Sequence, residues 1–175
     1  MDETLEWIFS HLDPHQQALP ASLSFYGSTA DPKWLTWLSS TLKVTKLQLQ
    51  TYSDHDRILD IISLLSQPLV STPTQWPLPD LKSIETNVVS QYGKSKILEM
   101  VKARACFIQA QGKPEGGDIA LQPFKEIRLR GGMRDVYGPY SRHVDLLNEL
   151  QEAARGAEIW WDDFKWTGSE NSARQ

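Results

Sequence analysis

The segment Gly93-Lys94-Ser95 is the closest match in this chain to a motif that carries chemistry. A Gly-Lys-Ser triplet closes the phosphate-binding P-loop, which also requires a glycine five residues before its last glycine. Position 88 is Val88, so the run of backbone N–H groups that would cradle a phosphate is incomplete. We therefore interpret the triplet as the polar start of a helix.

Residues that could bind a metal ion or act as a nucleophile are present without the necessary spacing. Asp54-His55-Asp56 would point in different directions on one helical turn, and His11, His15 and His143 show no ligand pattern such as HExxH. Cys106, which is followed by two apolar residues, is interpreted as a buried structural thiol. We predict no catalytic, cofactor-binding or metal-ligating residue, and we do not expect an enzyme.

Composition excludes several classes of protein. The 175 residues carry 18 Lys and Arg against 22 Asp and Glu, a net charge of −4 that argues against general nucleic-acid binding. The one local basic cluster is Lys125, Arg128, Arg130 and Arg134. No apolar run is long enough to span a membrane, and the chain has a single cysteine and an acidic start. We expect a monomer in the cytoplasm or nucleus, with no nucleic-acid or membrane partner.

A repeated strand pattern reveals the architecture. In each six-residue segment the first, fourth and sixth positions are aligned, and the fourth and sixth are expected to point inward. The pattern occurs as VTKLQL (44–49), LKSIET (81–86) and FKEIRL (124–129). Shorter forms lie at 23–25 and 159–161. Amphipathic helical patterns separate the strands, which predicts an α/β fold with a parallel sheet. Trp76, in a proline-rich stretch, is interpreted as a lid over the edge of the repeats.

The segments LPDLKSIETN, ILEMVKARA and PFKEIRLRGG give a strand, a helix and a strand. With them the chain resembles the leucine-rich-repeat region of fungal F-box-like proteins, over roughly residues 1–164. The resemblance implies an irregular solenoid of about five parallel strands with helices on the outer face. In that family a separate F-box recruits a ubiquitin-ligase adaptor, and the repeats recruit a protein substrate.

Three functions remain open. The first is a protein–protein interaction module, in the form of the substrate-recognition part of an F-box-type ubiquitin ligase. The others are a truncated F-box paralogue without ligase function and an enzyme with an unrecognised site. We assign residues 1–166 to one leucine-rich-repeat-like domain and 167–175 to a polar flexible tail.

The repeat register predicts both a core and a binding face. The expected core residues are Leu23, Phe25, Leu47, Leu49, Ile84, Ile127, Leu129 and Ile159. The alternate side chains should form a concave face that binds a partner, and they are Tyr26, Gln48, Gln50, Glu85, Asn87, Arg128, Arg130, Trp160 and Asp162.

Equivalent positions of parallel strands lie side by side, which predicts contacts across the concave face. The expected pairs are Glu85 with Arg128, Arg128 with Trp160, and Arg130 with Asp162. A ladder whose side chains satisfy one another is the simpler interpretation, and anchors for a partner are the second. The two can coexist, since ion pairs can rearrange when a partner docks.

Overall fold

The structure is a computed structural model that describes residues 20–26, 35, 38–39, 42–50, 58–69, 75–87, 91–111, 121–130 and 143–168, with the backbone alone at 26, 91 and 111. The predicted helix near the N-terminus, the Asp54-His55-Asp56 segment and the predicted tail beyond residue 168 lie outside these residues. The described elements are β1 (Ala21–Tyr26), β2 (Val44–Gln50), α1 (Ile58–Leu64), β3 (Ser83–Thr86), α2 (Gln91–Gln111), β4 (Glu126–Leu129), α3 (Val144–Ala153), β5 (Glu158–Trp161) and β6 (Phe164–Lys165).

One six-stranded sheet contains the strands in the order in which they occur along the chain. The first five strands are mutually parallel, and β6 returns antiparallel to β5. A mixed α/β fold with a mostly parallel sheet is therefore confirmed. The short hairpin strand β6 is an addition that the repeat pattern did not predict.

The core lies on one side of the sheet, where the predicted inward positions meet the helices. Six of the eight predicted core residues are at most 3% exposed: Leu47, Leu49, Ile84, Ile127, Leu129 and Ile159. The other two, Leu23 and Phe25, pack against the core but are only half-buried. They lie on β1, which ends the sheet and has a neighbouring strand on one side only. Trp161 is buried while Trp160 is only partly so, as expected of successive strand positions.

The first apolar residue of each repeat, three positions before the first inward residue of the strand, packs into the core where the strand begins. Leu81 and Phe124 are buried just before β3 and β4. In β2 the same step coincides with a register shift, because Ala21 pairs with Val44 while Ser22 pairs with Lys46. In a regular strand Val44 and Lys46 would point to the same face. The irregularity lets Val44 face the core while Lys46 is exposed on the other side.

The helices pack in sequence beside the sheet, α1 against α2 and α2 against α3. Ile97, Met100 and Val101 of α2 are fully buried, as are Leu147 and Leu150 of α3. The helices therefore cover the apolar face of the strands and leave the polar face of the sheet without a helical layer among the described residues.

Trp76 is part of the core instead of a lid, so that interpretation is wrong. Its ring is 6% exposed and packs on Phe107 of α2 with centroids 5.0 Å apart. The nearby Arg104 donates hydrogen bonds to the carbonyl oxygens of Pro77 and Leu78, each at 3.0 Å. Leu78 adopts a left-handed backbone with φ of 48°, which is costly for a branched residue. Arg104 thereby ties a strained turn to α2.

Candidate functional site

The strand register brings most of the predicted binding residues into one row. Gln48 of β2 is paired with Glu85, which is paired with Arg128, which is paired with Trp160 of β5. The adjacent row begins with the pairing of Tyr26 and Gln50, and the side chain of Tyr26 lies outside the described residues. We call this surface the polar sheet face, and define it by Ser24, Lys46, Gln48, Gln50, Glu85, Asn87, Glu126, Arg128, Arg130, Glu158, Trp160, Asp162 and Lys165.

Glu85 is the centre of a hydrogen-bonded network on this face. Arg130 donates from Nε to its Oε1 at 2.5 Å, and Gln48 donates from Nε2 to the same atom at 3.4 Å. Lys46 Nζ lies 3.9 Å from its Oε2, and Ser24 donates to Gln48 Oε1 at 3.1 Å. Burial of a carboxylate is costly unless it is paired, and the Glu85 side chain is 10% exposed. The two cations provide that pairing.

Two predicted ion pairs form with different partners. Glu85 pairs with Arg130 instead of Arg128, and Arg128 pairs with Glu126 at 2.9 Å. The physical reason is reach, since a long arginine side chain can contact a diagonal neighbour on the next strand, as Arg130 does, or a residue two positions away on its own strand, as Arg128 does. Arg130 was expected to pair with Asp162. The hydrogen bond that Arg130 donates to Glu85 is the main cause that raises the pKa of Arg130, and the Coulombic fields of Glu85, Asp163 and Asp162 add to it.

Trp160 makes the predicted cation–π contact. The Arg128 guanidinium lies 4.7 Å from the ring centroid, and the Lys165 ammonium lies 6.0 Å from it. Each such contact is worth about 0.5–1 kcal/mol when partly exposed. The indole ring is thus held in place before any partner is present.

Sequence reasoning missed four charged members of the polar sheet face. Lys46, Glu126 and Glu158 occupy the row below the predicted one, where alternation along the strands could have found them. Lys165 lies on β6 and donates to Glu158 at 2.5 Å. No sequence signal identified it, because the hairpin itself was not predicted.

A test of the ion pair at Glu126 is its effect on acid unfolding. The hydrogen bond from Arg128 holds the pKa of Glu126 below its ordinary value of 4.5, and Ser83 adds a second hydrogen bond at 2.8 Å. A lowered pKa in the folded protein gives stability that is complete above the unfolded pKa and is lost as the pH falls through the folded pKa. We expect Glu126→Gln to flatten the fall in the free energy of unfolding between about pH 5 and pH 3.

The measurement is urea unfolding at several pH values in that interval. Glu152→Gln, at an exposed position on α3, is the matched control and should keep the wild-type slope. An unchanged slope for Glu126→Gln would show that its ion pair has no influence on folding.

The other residues that could have carried chemistry, in the Gly-Lys-Ser triplet and at Cys106, lie on helix α2. Gly93-Lys94-Ser95 lies within α2, and Lys94 is buried with its ammonium 5.5 Å from the Trp161 ring centroid. Cys106 is exposed on α2, so its interpretation as a buried thiol is wrong. Among the described residues no three His, Cys, Asp or Glu side chains lie close enough together to hold a metal ion. No described helix combines the length and apolar character needed to cross a membrane.

Comparison of the chain with protein-family models, with curated proteins and with solved structures finds no match.

Proposed function

We propose that this chain is a protein–protein interaction module of the irregular leucine-rich-repeat type and that the polar sheet face binds its partner. The support is topological. Strands follow one another across the sheet in chain order, and helices cover the opposite face. Repeat proteins stack strand–helix units in this manner and bind through the strand face.

The observation that carries the proposal is the arrangement around Trp160. Its ring lies between the cations of Arg128 and Lys165 on a face that no described helix covers. Tryptophan and arginine dominate binding hot spots, because they bury a large area at little entropic cost when they are already held in position. A partner that covers Trp160 would gain this contact without first ordering the ring.

The network around Glu85 is compatible with partner binding. The side chains of Lys46 and Arg130 are 46% and 45% exposed, whereas Glu85 beneath them is 10% exposed. A partner therefore meets the tips of the cations first. Lys46 and Arg130 hold the buried carboxylate of Glu85, so a partner can bind the exposed sides of these cations while both pairs stay in place.

The decisive variant combines Arg128→Ala with Trp160→Ala. We expect it to weaken capture of the partner about 10–30-fold, because two residues of hot-spot type are removed together. The thermal midpoint should stay within a few degrees of wild type, since both side chains are only partly buried. Quantitative mass spectrometry of material purified with the tagged chain identifies the partner, and titration with that partner gives the affinity.

The control is the double variant Lys102→Ala with Glu149→Ala, which removes an exposed ion pair between α2 and α3. It should bind like wild type. If the double variant at Arg128 and Trp160 binds a recovered partner at wild-type affinity, or if the folded chain captures no protein, the proposal fails.

The specific form that we propose is substrate recognition for an F-box-type ubiquitin ligase. Its support is the likeness of the repeat segments to those of fungal F-box-like proteins. The same purification tests it, because a ligase adaptor should co-purify with the full gene product. Substrate capture without an adaptor would contradict the ligase role and leave the interaction module intact.

A further inference from the structure

A second surface with binding character lies on the helical side of the molecule. It is an open groove of about 120 Å³ between α2, the C-terminal end of α3 and the segment that leads into β4. Most of its wall is aliphatic or aromatic. Its lining includes Arg104, Ala105, Ile108, Phe124, Ala154 and Arg155.

The charges in the wall of the groove are all positive. Two of the ten lining residues are arginines and none is acidic. Arg104 is 1% exposed, and its Nε has no hydrogen-bond partner among the described residues. Arg155 is exposed where α3 ends. Arg104 donates its hydrogen bonds to Pro77 and Leu78 and is almost fully buried, so Arg155 is the guanidinium that an occupant of the groove can reach. An apolar wall with this cation at its rim and no acidic lining residue favours an occupant that is apolar and carries negative charge beside the apolar part.

The volume of the groove limits the size of the group that can occupy it. Sites for complete small molecules usually enclose about 300–1,000 Å³, whereas a cavity of about 150 Å³ holds one benzene-sized group. A volume of about 120 Å³ therefore suits a single side chain of a larger molecule. We propose that the groove docks a peptide segment of a protein partner in which an aliphatic side chain has a carboxylate beside it.

The probe is a blocked peptide with the central sequence Glu-Leu-Glu between Gly-Ser spacers, titrated into the isotope-labelled full chain. We expect shifts in the amide resonances of Ala105, Ile108 and Ala154, with weak affinity, since one anchored side chain supplies the contact. Peptides with Gln-Leu-Gln or Glu-Ser-Glu at the centre should bind at least about fivefold more weakly, because each lacks one half of the recognition.

Two variants connect the binding to the groove. Ala105→Phe fills the apolar part and Arg155→Glu reverses the charge at its rim, and each should weaken binding about tenfold. Lys43→Glu makes the same charge change at an exposed position before β2 and is the matched control. Trp160→Ala should also leave peptide binding unchanged, so failure at this groove is separate from failure of the polar sheet face.

Several outcomes would overturn the proposal. One is the absence of shifts at the groove, and another is equal binding of the two control peptides. Equal affinity for free 4-methylpentanoate would assign the groove to a small carboxylate instead of a peptide. Shifts at the groove that depend on protein concentration without any peptide would assign it to a second copy of this chain.

Discussion

Replacement of Ile127 by alanine is expected to lower the free energy of unfolding by about 2–5 kcal/mol. Ile127 is fully buried in β4, between Ile84 of β3 and Ile159 of β5. Removal of its side-chain carbons loses hydrophobic transfer energy and leaves a cavity that a central strand with two fixed neighbours cannot close. Urea unfolding followed by circular dichroism, with the slope against urea held fixed, measures the loss.

The control lies one residue further along the same strand. Arg128→Ala removes a partly exposed side chain with one ion pair and one cation–π contact, so it should cost at most about 1–2 kcal/mol. A register shifted by one residue would exchange the two effects, since every side chain of the strand would change faces. Equal losses for the two variants, or a larger loss for Arg128→Ala, would therefore contradict the register.

The register could be predicted because two independent constraints agree on it. Alternation of apolar residues decides which face of a strand is buried, and the repeated step of three residues aligns one strand with the next. Leu47, Ile84 and Ile127 meet both constraints and lie side by side in the sheet. Leu23 obeys the same pattern but is only half-buried, because alternation does not reveal that its strand lies at an edge.

The hairpin at the end of the sheet could not be predicted from the alternation of apolar residues. Strand β6 has only two residues, too few to show alternation. The turn that leads into it depends on Asp162, whose φ of 52° is unusual for a residue other than glycine. Lys165, the second cation over Trp160, follows from that turn, so this part of the site could not be predicted.

Side-chain partners on the polar sheet face were predicted less well than backbone neighbours. The contact of Arg128 with Trp160 was predicted correctly, whereas Arg130 pairs diagonally with Glu85 and Arg128 pairs with Glu126 on its own strand. Backbone register fixes Cα positions, but a long charged side chain chooses among several acceptors within its reach. Glu85 illustrates this choice, since its buried carboxylate is held by side chains from its neighbouring strand β2 and from just beyond β4.

The burial pattern of α2 shows that residue type does not always predict which side chains are buried. Cys106 is followed by two apolar residues and is exposed, whereas Arg104 is charged and is 1% exposed. Residue type alone predicts the reverse. Arg104 is buried because the carbonyl oxygens of a turn 26 and 27 residues earlier accept hydrogen bonds from its guanidinium. Tertiary contacts of this kind leave no local signal.

Arg104→Ala is expected to lower the free energy of unfolding by about 3–5 kcal/mol. The variant leaves a cavity between the rings of Trp76 and Phe124, whose centroids lie 5.9 Å and 5.4 Å from the guanidinium carbon. It also leaves the carbonyl oxygens of Pro77 and Leu78 without their donor. Burial lowers the pKa of Arg104 to about 9, because desolvation disfavours the charged form of the guanidinium. Urea unfolding measures the loss, and faster amide exchange at Leu78 should accompany it.

Three further variants of α2 separate the causes of that loss. Lys102→Ala removes an exposed cation two residues earlier and should cost less than about 1 kcal/mol. Arg104→Met keeps most of the volume without the hydrogen bonds, so it isolates the effect of the two carbonyl oxygens. Arg104→Lys keeps the charge but lacks the planar fork that can bond both oxygens while it stacks on two rings, so it should rescue only part of the loss. If Arg104→Ala costs no more than Lys102→Ala, desolvation of the guanidinium cancels its contacts and Arg104 does not stabilise the turn.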